Sequence, residues 1–310
     1  MKNWAILAAV GLAFAVLPLT GDNYLLRLAT TVCMYAVLAQ SWNFIGGLAG
    51  YPSFATAAFF GLGAYTSAVL QSFDVPMFTS WGAAGLVALL FAALIGGAIL
   101  HLRGHYFAIA SLVIAEVLRE IVNTTPDLTG GGMGLNLPLM EGSSVAFEAR
   151  FFFYAMLALA VLATAVAIVV HGSKLGFGLR CIQQNEDAAT ILGVNTYAYK
   201  TAAFSLSAVF VGIAGAVYAS WVHYIEPPDV FDILLAVKPL VMVLLGGIGT
   251  IFGPPLGALL LLAFEELVWR NFLTVHAAVL GLIIVALVLF LPNGLLSLVR
   301  ERLKRAGAPS

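Results

Sequence analysis

Charged residues are scarce in this chain. Aspartate, glutamate, lysine and arginine together make up 9% of its 310 residues, whereas 62% of the residues are hydrophobic and the mean hydropathy is +1.02. So few polar side chains cannot cover a water-soluble domain of this length. The composition therefore excludes an ordinary soluble protein and predicts a polytopic, all-α membrane protein that forms one transmembrane domain over residues 1–310.

Other absences narrow the function. The net charge of −1 provides no basic surface for nucleic acid. No G-x-x-x-x-G-K-[ST] phosphate loop occurs, so we do not expect this chain to bind ATP or another cofactor. Cys33 and Cys181 lie in an apolar and a polar segment, which predicts free thiols. His101 and His105 have a metal-ligand spacing but no nearby third ligand, and no catalytic triad or dyad is evident, so neither a metal site nor an enzyme is predicted.

Apolar segments long enough to cross, or partly cross, a bilayer recur along the chain. Glycines and prolines interrupt the third, the eighth and the ninth of them. The first follows a single lysine and resembles a signal peptide, but no small-x-small cleavage site follows it, so we interpret it as a retained span. The ten predicted segments lie near residues 4–20, 24–45, 51–71, 81–101, 105–122, 151–171, 201–223, 236–252, 255–270 and 274–292.

The distribution of lysine and arginine predicts the orientation, because basic loops are retained in the cytoplasm. Basic residues occur in the loop 172–200 and again in the tail 294–310. Six predicted spans precede the loop and four separate it from the tail, so both regions and both termini fall on the cytoplasmic side. The sequence thus predicts a multi-pass membrane protein with cytoplasmic N- and C-termini.

The loop 172–200 contains a polar stretch, NEDAATILGV, between two apolar blocks. Asn185 is a typical N-cap, and Glu186 and Asp187 follow where the helix dipole favours negative charge. Gly193 stands where a left-handed C-terminal cap is usually needed. The stretch therefore predicts a short, water-exposed helix of about two turns.

The predicted helix has one small apolar face, because Ala188 and Ala189 lie four and three residues before Leu192. A small face permits close docking into the groove of a partner. The alternative is a helix that rests on the bilayer surface, which would usually carry larger apolar anchors and a basic polar face. The acidic polar face of this stretch favours a protein partner.

Several stretches of this sequence resemble a known family. Glu186, Ala188, Ala189 and Gly193 resemble the E-A-A-x-x-x-G loop with which bacterial ABC importer permeases couple to an ATPase. Together with this loop, four further stretches resemble, in order, the signatures of branched-chain amino acid ABC permeases of the LivM kind: SWNFIGGLAGYPSFATAAFFGLGAYTSAVL, LRGHYFAIASLVIAEVLR, TGGGMGL and VLLGGIGTIFGPPLGALLL. The resemblance implies a fold similar to type II importers and a location in a bacterial inner membrane. It also implies a second, homologous permease subunit, two cytoplasmic ATP-binding subunits and a periplasmic substrate-binding protein as partners.

Two glycine-rich stretches predict broken helices. Gly46 and Gly47 precede a proline-containing turn, as do Gly246 and Gly247. Irregular backbone at membrane depth persists only where protein or a water-filled cavity satisfies its polar groups, so both breaks are candidates for the translocation pathway. Tight helix packing through small residues is the alternative. On the first interpretation, further pathway candidates are Tyr51, Ser53 and Phe54.

Two ionisable residues within predicted spans need partners. Glu116 lies ten residues after Tyr106, about 15 Å along its helix and close to the bilayer midplane. Arg119, three residues later, is its nearest candidate partner, with Lys238 as a second possibility. Both Glu116 and Lys238 are candidates for the pathway. A structural ion pair that holds helices together is the alternative for Glu116.

Two functions remain open from these residues. The first is the membrane subunit of an ATP-driven importer for branched-chain or other amino acids, or for urea or amides. The second is an ion-coupled secondary transporter that uses Glu116 or Glu265. The first predicts that Gly193→Asp or Ala189→Arg leaves the protein folded but uncouples it from its ATPases.

Overall fold

A computed structural model describes residues 2–140, 144–271 and 281. The chain is almost entirely helical over these residues. In chain order the helices are α1 (Lys2–Ala15), α2 (Asn23–Trp42), α3 (Thr56–Ser72), α4 (Met77–Ile99), α5 (His105–Asn123), α6 (Pro126–Thr129), α7 (Val145–Gly172), α8 (Lys174–Gln184), α9 (Glu186–Ile191), α10 (Thr196–Val222), α11 (Pro227–Val230), α12 (Leu234–Gly246) and α13 (Gly253–Asn271).

Short irregular elements connect the helices. A 3₁₀ turn, Leu17–Thr20, follows α1, and a π-helical turn, Asn43–Gly47, continues α2. A second 3₁₀ turn, Gly131–Met133, leads into strand β1 (Leu135–Asn136), which pairs antiparallel with β2 (Tyr224–Ile225). This two-stranded sheet, which was not expected from the sequence, ties the segment after α5 to the end of α10.

Helix α10 lies at the centre of the bundle and packs along α3 and α4. Glycine allows α3 and α10 to approach each other closely, because a Cβ on Gly63 of α3 would overlap with the carbonyl group of Gly212 of α10. Missing side chains allow two backbones to approach closely, which is how helices commonly associate in membranes. Phe59 of α3 packs edge-to-face on Phe204 of α10, with ring centroids 5.1 Å apart.

Among the described residues, four helical segments are long and apolar enough to cross a membrane: Asn23–Gly47, Met77–Ile99, Val145–Gly172 and Thr196–Val222. Nine of the ten predicted segments coincide with described helices, although their boundaries differ. The segment 274–292, except residue 281, and the basic tail 294–310 lie outside the described residues, so the predicted count of ten and the cytoplasmic termini stay predictions.

Two predicted spans are shorter than expected. The segment 51–71 becomes helical only at Thr56, because residues 51–54, which include Pro52, have no regular secondary structure. The segment 236–252 stops being helical at Gly246, because Gly247 adopts a φ of 126° that does not continue a helix. The sequence prediction also missed α8, which occupies the first half of the polar loop.

The path of the helices defines two ends of the bundle. Helix α10 begins beside α9 and runs for 27 residues, about 40 Å, to Val222. Helix α2 runs the other way, because Gly47 at the end of its π turn contacts Gln183 of α8. We call the end that carries α9 the coupling end and the other the distal end.

Candidate functional site

The polar stretch NEDAATILGV forms the predicted short helix, α9. The side chain of Asn185 accepts a hydrogen bond from the backbone N–H of Ala188 at 3.0 Å, so the predicted N-cap is present. Gly193 has a φ of 85°, the left-handed conformation that was expected to end the helix. The chain therefore presents a single short helix at the coupling end, between α8 and α10.

The prediction that α9 has a single apolar face was wrong. Ala189 is buried, with 1% of its surface exposed, whereas Ala188 and Leu192 point outward. Ile191, the last residue of α9, and Leu192, its C-cap, are 86% and 79% exposed. The three- and four-residue spacings did not show which of the alanines faces the bundle. Because Ala189 is packed inside, we now expect Ala189→Arg to disturb folding rather than docking alone.

Behind α9, four polar side chains come together from distant parts of the sequence. The ammonium group of Lys200, on α10, lies 2.6 Å from a carboxylate oxygen of Glu186. The same ammonium group donates hydrogen bonds to the carbonyl oxygen of Leu100 at 2.7 Å and to the hydroxyl of Tyr51 at 3.0 Å. The Tyr51 hydroxyl donates to the other oxygen of Glu186. We call these residues, with a nearby arginine, the anchoring cluster: Tyr51, Arg103, Glu186 and Lys200.

Arg103, in the turn between α4 and α5, closes the cluster on its exposed side. Its guanidinium group lies 3.5 Å from Glu186 and 2.8 Å from Asp187. The arginine is largely exposed to solvent, so its contribution to stability is screened. Its two contacts nevertheless fix both acidic residues of the first turn of α9 against the α4–α5 turn.

The cluster keeps Glu186 ionised. Burial alone would raise the pKa of Glu186, but hydrogen bonds from Lys200 and Tyr51 and the charges of Lys200 and Arg103 outweigh it and lower the pKa below its usual range. The hydrogen bond from Arg103 likewise lowers the pKa of Asp187. A charged Glu186 compensates Lys200, which is 3% exposed and would otherwise be a costly buried charge.

The region behind α9 is also joined to the broken end of α2. Gln183, at the end of α8, donates a hydrogen bond to the carbonyl oxygen of Gly47 at 3.1 Å. Tyr51 lies four residues beyond Gly47 and binds Glu186. Segment 47–51 therefore contacts α8 through Gly47 and α9 through Tyr51. A displacement of either helix would act directly on the break at the end of α2.

The two glycine-rich breaks, predicted separately, contact each other. The side chain of Asn43 accepts a hydrogen bond from the N–H of Gly249 and donates one to the carbonyl oxygen of Thr250, both at 2.9 Å. A Cβ on Gly47 would lie 2.9 Å from the nitrogen of Gly249. One asparagine thus satisfies backbone groups that the break between α12 and α13 leaves free.

The predicted pathway residues near the first break lie in the packed interior. Ser53 is 3% exposed, and its carbonyl oxygen accepts a hydrogen bond from the Trp42 indole at 2.7 Å. The backbone N–H of Phe54 donates to the Ser111 hydroxyl at 2.9 Å. Tyr51 belongs to the anchoring cluster. Their role as pathway residues stays a prediction.

The predicted glycines serve close packing in this conformation. A Cβ on Gly46 would overlap with the Trp42 ring, and one on Gly246 would overlap with the carbonyl oxygen of Gly253. Gly247 supplies the positive φ that ends α12. These contacts agree with the packing alternative, while a pathway role for the same glycines stays a prediction.

The two ionisable candidates have separate partners. Glu116 pairs with Arg119 at 3.1 Å, as the three-residue spacing suggested, and its side chain is 54% exposed rather than buried within this chain. Lys238 pairs with Glu265 of α13 at 2.8 Å and not with Glu116. Lys238 also lines a cavity at the distal end.

Sequence reasoning missed the roles of three residues. Lys200 was counted only among the basic residues of the loop 172–200, and neither Arg103 nor Gln183 was singled out. A lone lysine near the start of an apolar helix does signal a required partner. The sequence could not identify that partner, because Tyr51 lies 149 positions before Lys200 and meets it only in the fold.

Comparison with known proteins identifies a family of transport permeases. Residues 24–291 match the family described as branched-chain amino acid transport system, permease component. The permease LivM of the high-affinity branched-chain amino acid transport system of Escherichia coli (strain K12) is 29% identical over 89% of this chain and 71% of its own length. The corresponding LivH of Salmonella typhimurium is 27% identical over 84% of this chain and 91% of its own.

A third relative has a different name and a shorter match. The nucleoside ABC transporter permease NupC of Lactococcus lactis subsp. cremoris is 38% identical over 27% of each chain. No solved structure matches this chain. Because the family match covers most of the sequence, the chain belongs to the permease components of branched-chain amino acid transport systems.

Proposed function

We propose that this chain is one membrane-spanning half of an ABC importer that carries branched-chain amino acids into the cell. In this proposal a second, homologous permease subunit completes the pathway, and a periplasmic binding protein delivers the substrate to the distal end. Two ATP-binding subunits dock at the coupling end, which is then cytoplasmic. The family membership and the LivM and LivH relatives support this assembly.

The observation that carries the proposal is the two-sided character of α9. Its outer face exposes Ile191 and Leu192 to solvent, although large aliphatic side chains on a polar loop gain free energy when a partner covers them. Its inner face is fixed by Glu186 and Ala189. A helix whose outer side chains bind a partner and whose inner side chains contact the bundle can transmit the partner's movement to the bundle.

The ion pairs argue against the alternative of a secondary transporter. Glu265 is bound by Lys238, and Glu116 by Arg119. Each of the two carboxylates therefore has its counter-charge within this chain, as expected for a structural ion pair. An ion-coupled transporter would also take up substrate without ATPase subunits and would lose coupling in Glu116→Gln.

The test is co-purification of the ATPase subunits with tagged permease variants. Leu192→Asp places a charge at the exposed end of α9. We expect the affinity for the ATPase to fall at least tenfold, which corresponds to a loss of about 1.4 kcal/mol or more in binding free energy. Met133→Asp makes the same kind of change at an 85% exposed residue of the distal end and should leave the ATPase bound. The thermal unfolding midpoint of both variants should match the wild type.

Two further measurements complete the test. Gly193→Asp, where a Cβ would meet no atom within 4 Å, should act mainly through backbone strain and weaken coupling without unfolding the protein. Proteoliposomes with the complete complex should take up leucine, isoleucine and valine only with ATP. Full ATPase binding by Leu192→Asp, or uptake without ATPases, would contradict the proposal.

A further inference from the structure

The distal end contains a cavity of about 730 Å³. Its walls come from α2, α3, the end of α10 and the segment that leads from α11 into α12. This volume is within the range of roughly 300–1,000 Å³ that is usual for small-molecule sites. The cavity lies at the opposite end of α10 from the anchoring cluster, so it is separate from the coupling site.

Charged groups of both signs line this cavity on different elements. Arg27 projects from α2, four residues after its start, whereas Asp229 belongs to α11 and Asp232 to the turn before α12. Within the described part of the chain, no carboxylate lies within salt-bridge distance of the Arg27 guanidinium, and no cation lies within that distance of Asp229. Asp232 accepts a hydrogen bond from the backbone N–H of Leu234 at 2.9 Å with one of its oxygens.

The fourth charged group of the cavity is already compensated. Lys238 binds both oxygens of Glu265, at 2.8 and 3.1 Å, and lies 5.5 Å from the centre of the Tyr35 ring. An incoming ligand therefore meets Arg27 and Asp229, two solvent-exposed charges without an ion-pair partner among the described residues, and Asp232 of the same cavity. Apolar and aromatic side chains, including Tyr35 and Trp221, form the remaining wall.

This combination selects for one class of ligand. A simple anion would leave the two aspartates without a counter-charge, and a simple cation would leave Arg27 without one. An uncharged nucleoside or urea would leave the charged groups without a partner of opposite sign. A zwitterion with an apolar side chain satisfies both signs and the apolar wall, because a carboxylate binds guanidinium strongly and an ammonium group donates to carboxylates.

We infer that this cavity receives the zwitterionic head of an aliphatic amino acid when it enters the permease. The ligand carboxylate binds Arg27, its ammonium group binds Asp229 with Asp232, and its side chain packs against Tyr35 and Trp221. This inference rests on the proposed importer function and adds to it a substrate contact within the membrane subunit, beyond any selection by the binding protein.

The test begins with uptake by the complete complex in proteoliposomes. Arg27→Gln and Asp229→Asn should each lower L-leucine uptake about tenfold or more, the effect of losing one hydrogen bond between charged groups. ATP hydrolysis without the binding protein, and the affinity of the complex for the leucine-loaded binding protein, should not change. The matched controls are Arg150→Gln and Asp127→Asn, exposed charges of the distal end that do not line the cavity.

A direct binding experiment separates ligand recognition from a structural role. Tritiated L-leucine is bound to the nanodisc-embedded complex without binding protein, and leucinamide, 4-methylpentanoate and uridine are used as competitors. Leucinamide lacks the carboxylate and 4-methylpentanoate the ammonium group. Arg27→Gln should abolish the preference for leucine over leucinamide, and Asp229→Asn the preference for leucine over 4-methylpentanoate. Uridine should not compete.

The outcomes distinguish the two proposals. If the wild-type complex imports leucine with ATP but Arg27→Gln and Asp229→Asn do so equally well, the cavity assignment is wrong and the importer function stands. Effective competition by uridine would also overturn the assignment. If the wild-type complex neither binds ATPase subunits nor imports leucine, the importer function itself fails.

Discussion

The ammonium group of Lys200 lies 2.6 Å from a carboxylate oxygen of Glu186, and this ion pair joins the first turn of α9 to α10. Lys200 is almost fully buried, with 3% of its surface exposed, whereas Glu186 lies at the rim of the bundle. The pair therefore fixes the short exposed helix to the central helix of the fold. Movement imposed on α9 would reach α10 through this contact.

Removing one member of the pair should be costly. Glu186→Gln leaves Lys200 buried without a counter-charge, so we expect a loss of about 3 kcal/mol or more in the free energy of unfolding. Lys200→Met should cost less, because Glu186 keeps its contacts with Arg103 and Tyr51. Thermal unfolding of the purified protein measures both changes.

The double variant provides the control for this prediction. Glu186→Gln combined with Lys200→Met removes both charges and should be more stable than Glu186→Gln alone. If the two single effects simply added, the ion pair would not be the source of the loss.

The same pair predicts a dependence of stability on pH. The pKa of Glu186 is lowered in the folded chain below its ordinary value of 4.5, so the unfolded state binds the proton more readily. The stabilisation is therefore complete above about pH 4.5 and is lost as the pH falls through the lower, folded pKa. Unfolding midpoints between about pH 5 and pH 2 should fall more steeply for the wild type than for Glu186→Gln, and parallel curves would contradict the prediction.

The glycine contact between α3 and α10 offers a matched pair of substitutions. Gly63→Ala adds a Cβ that overlaps with the carbonyl group of Gly212, so the two helices must separate, at a cost of about 1–3 kcal/mol. Gly82→Ala in α4 meets no atom within 4 Å and should be neutral or stabilise by about 0.5–1 kcal/mol. Unfolding midpoints of both variants check the prediction, and a similar effect of the two would refute the packing explanation.

Asn43 should be essential for the contact between the two breaks. Asn43→Ala removes hydrogen bonds to Gly249 and Thr250 and leaves their half-buried backbone groups unsatisfied, at no more than about 1–3 kcal/mol for each group. We expect lower stability and impaired ATP-driven uptake. Asn136→Ala, an exposed asparagine of β1, is the control and should behave as the wild type.

Local sequence features predicted the local structure well. Asn185 and Gly193 fixed the limits of α9, because capping depends on residues adjacent in the chain. The three-residue spacing of Glu116 and Arg119 identified a pair on one helix turn. The face of α9 was predicted wrongly, because three- and four-residue spacings do not say which alanine meets the bundle.

The sequence by itself determined that this chain enters a membrane, along which stretches most of its long helices run, and which short helix is presented in a polar loop. These properties follow from composition, hydrophobic run length and capping, all of which are local. The tertiary structure alone decided that Tyr51, Arg103 and Lys200 gather behind Glu186, and that Arg27 and Asp229 share one distal cavity. The members of each group are far apart in the chain, and only the packing of the helices brings them together.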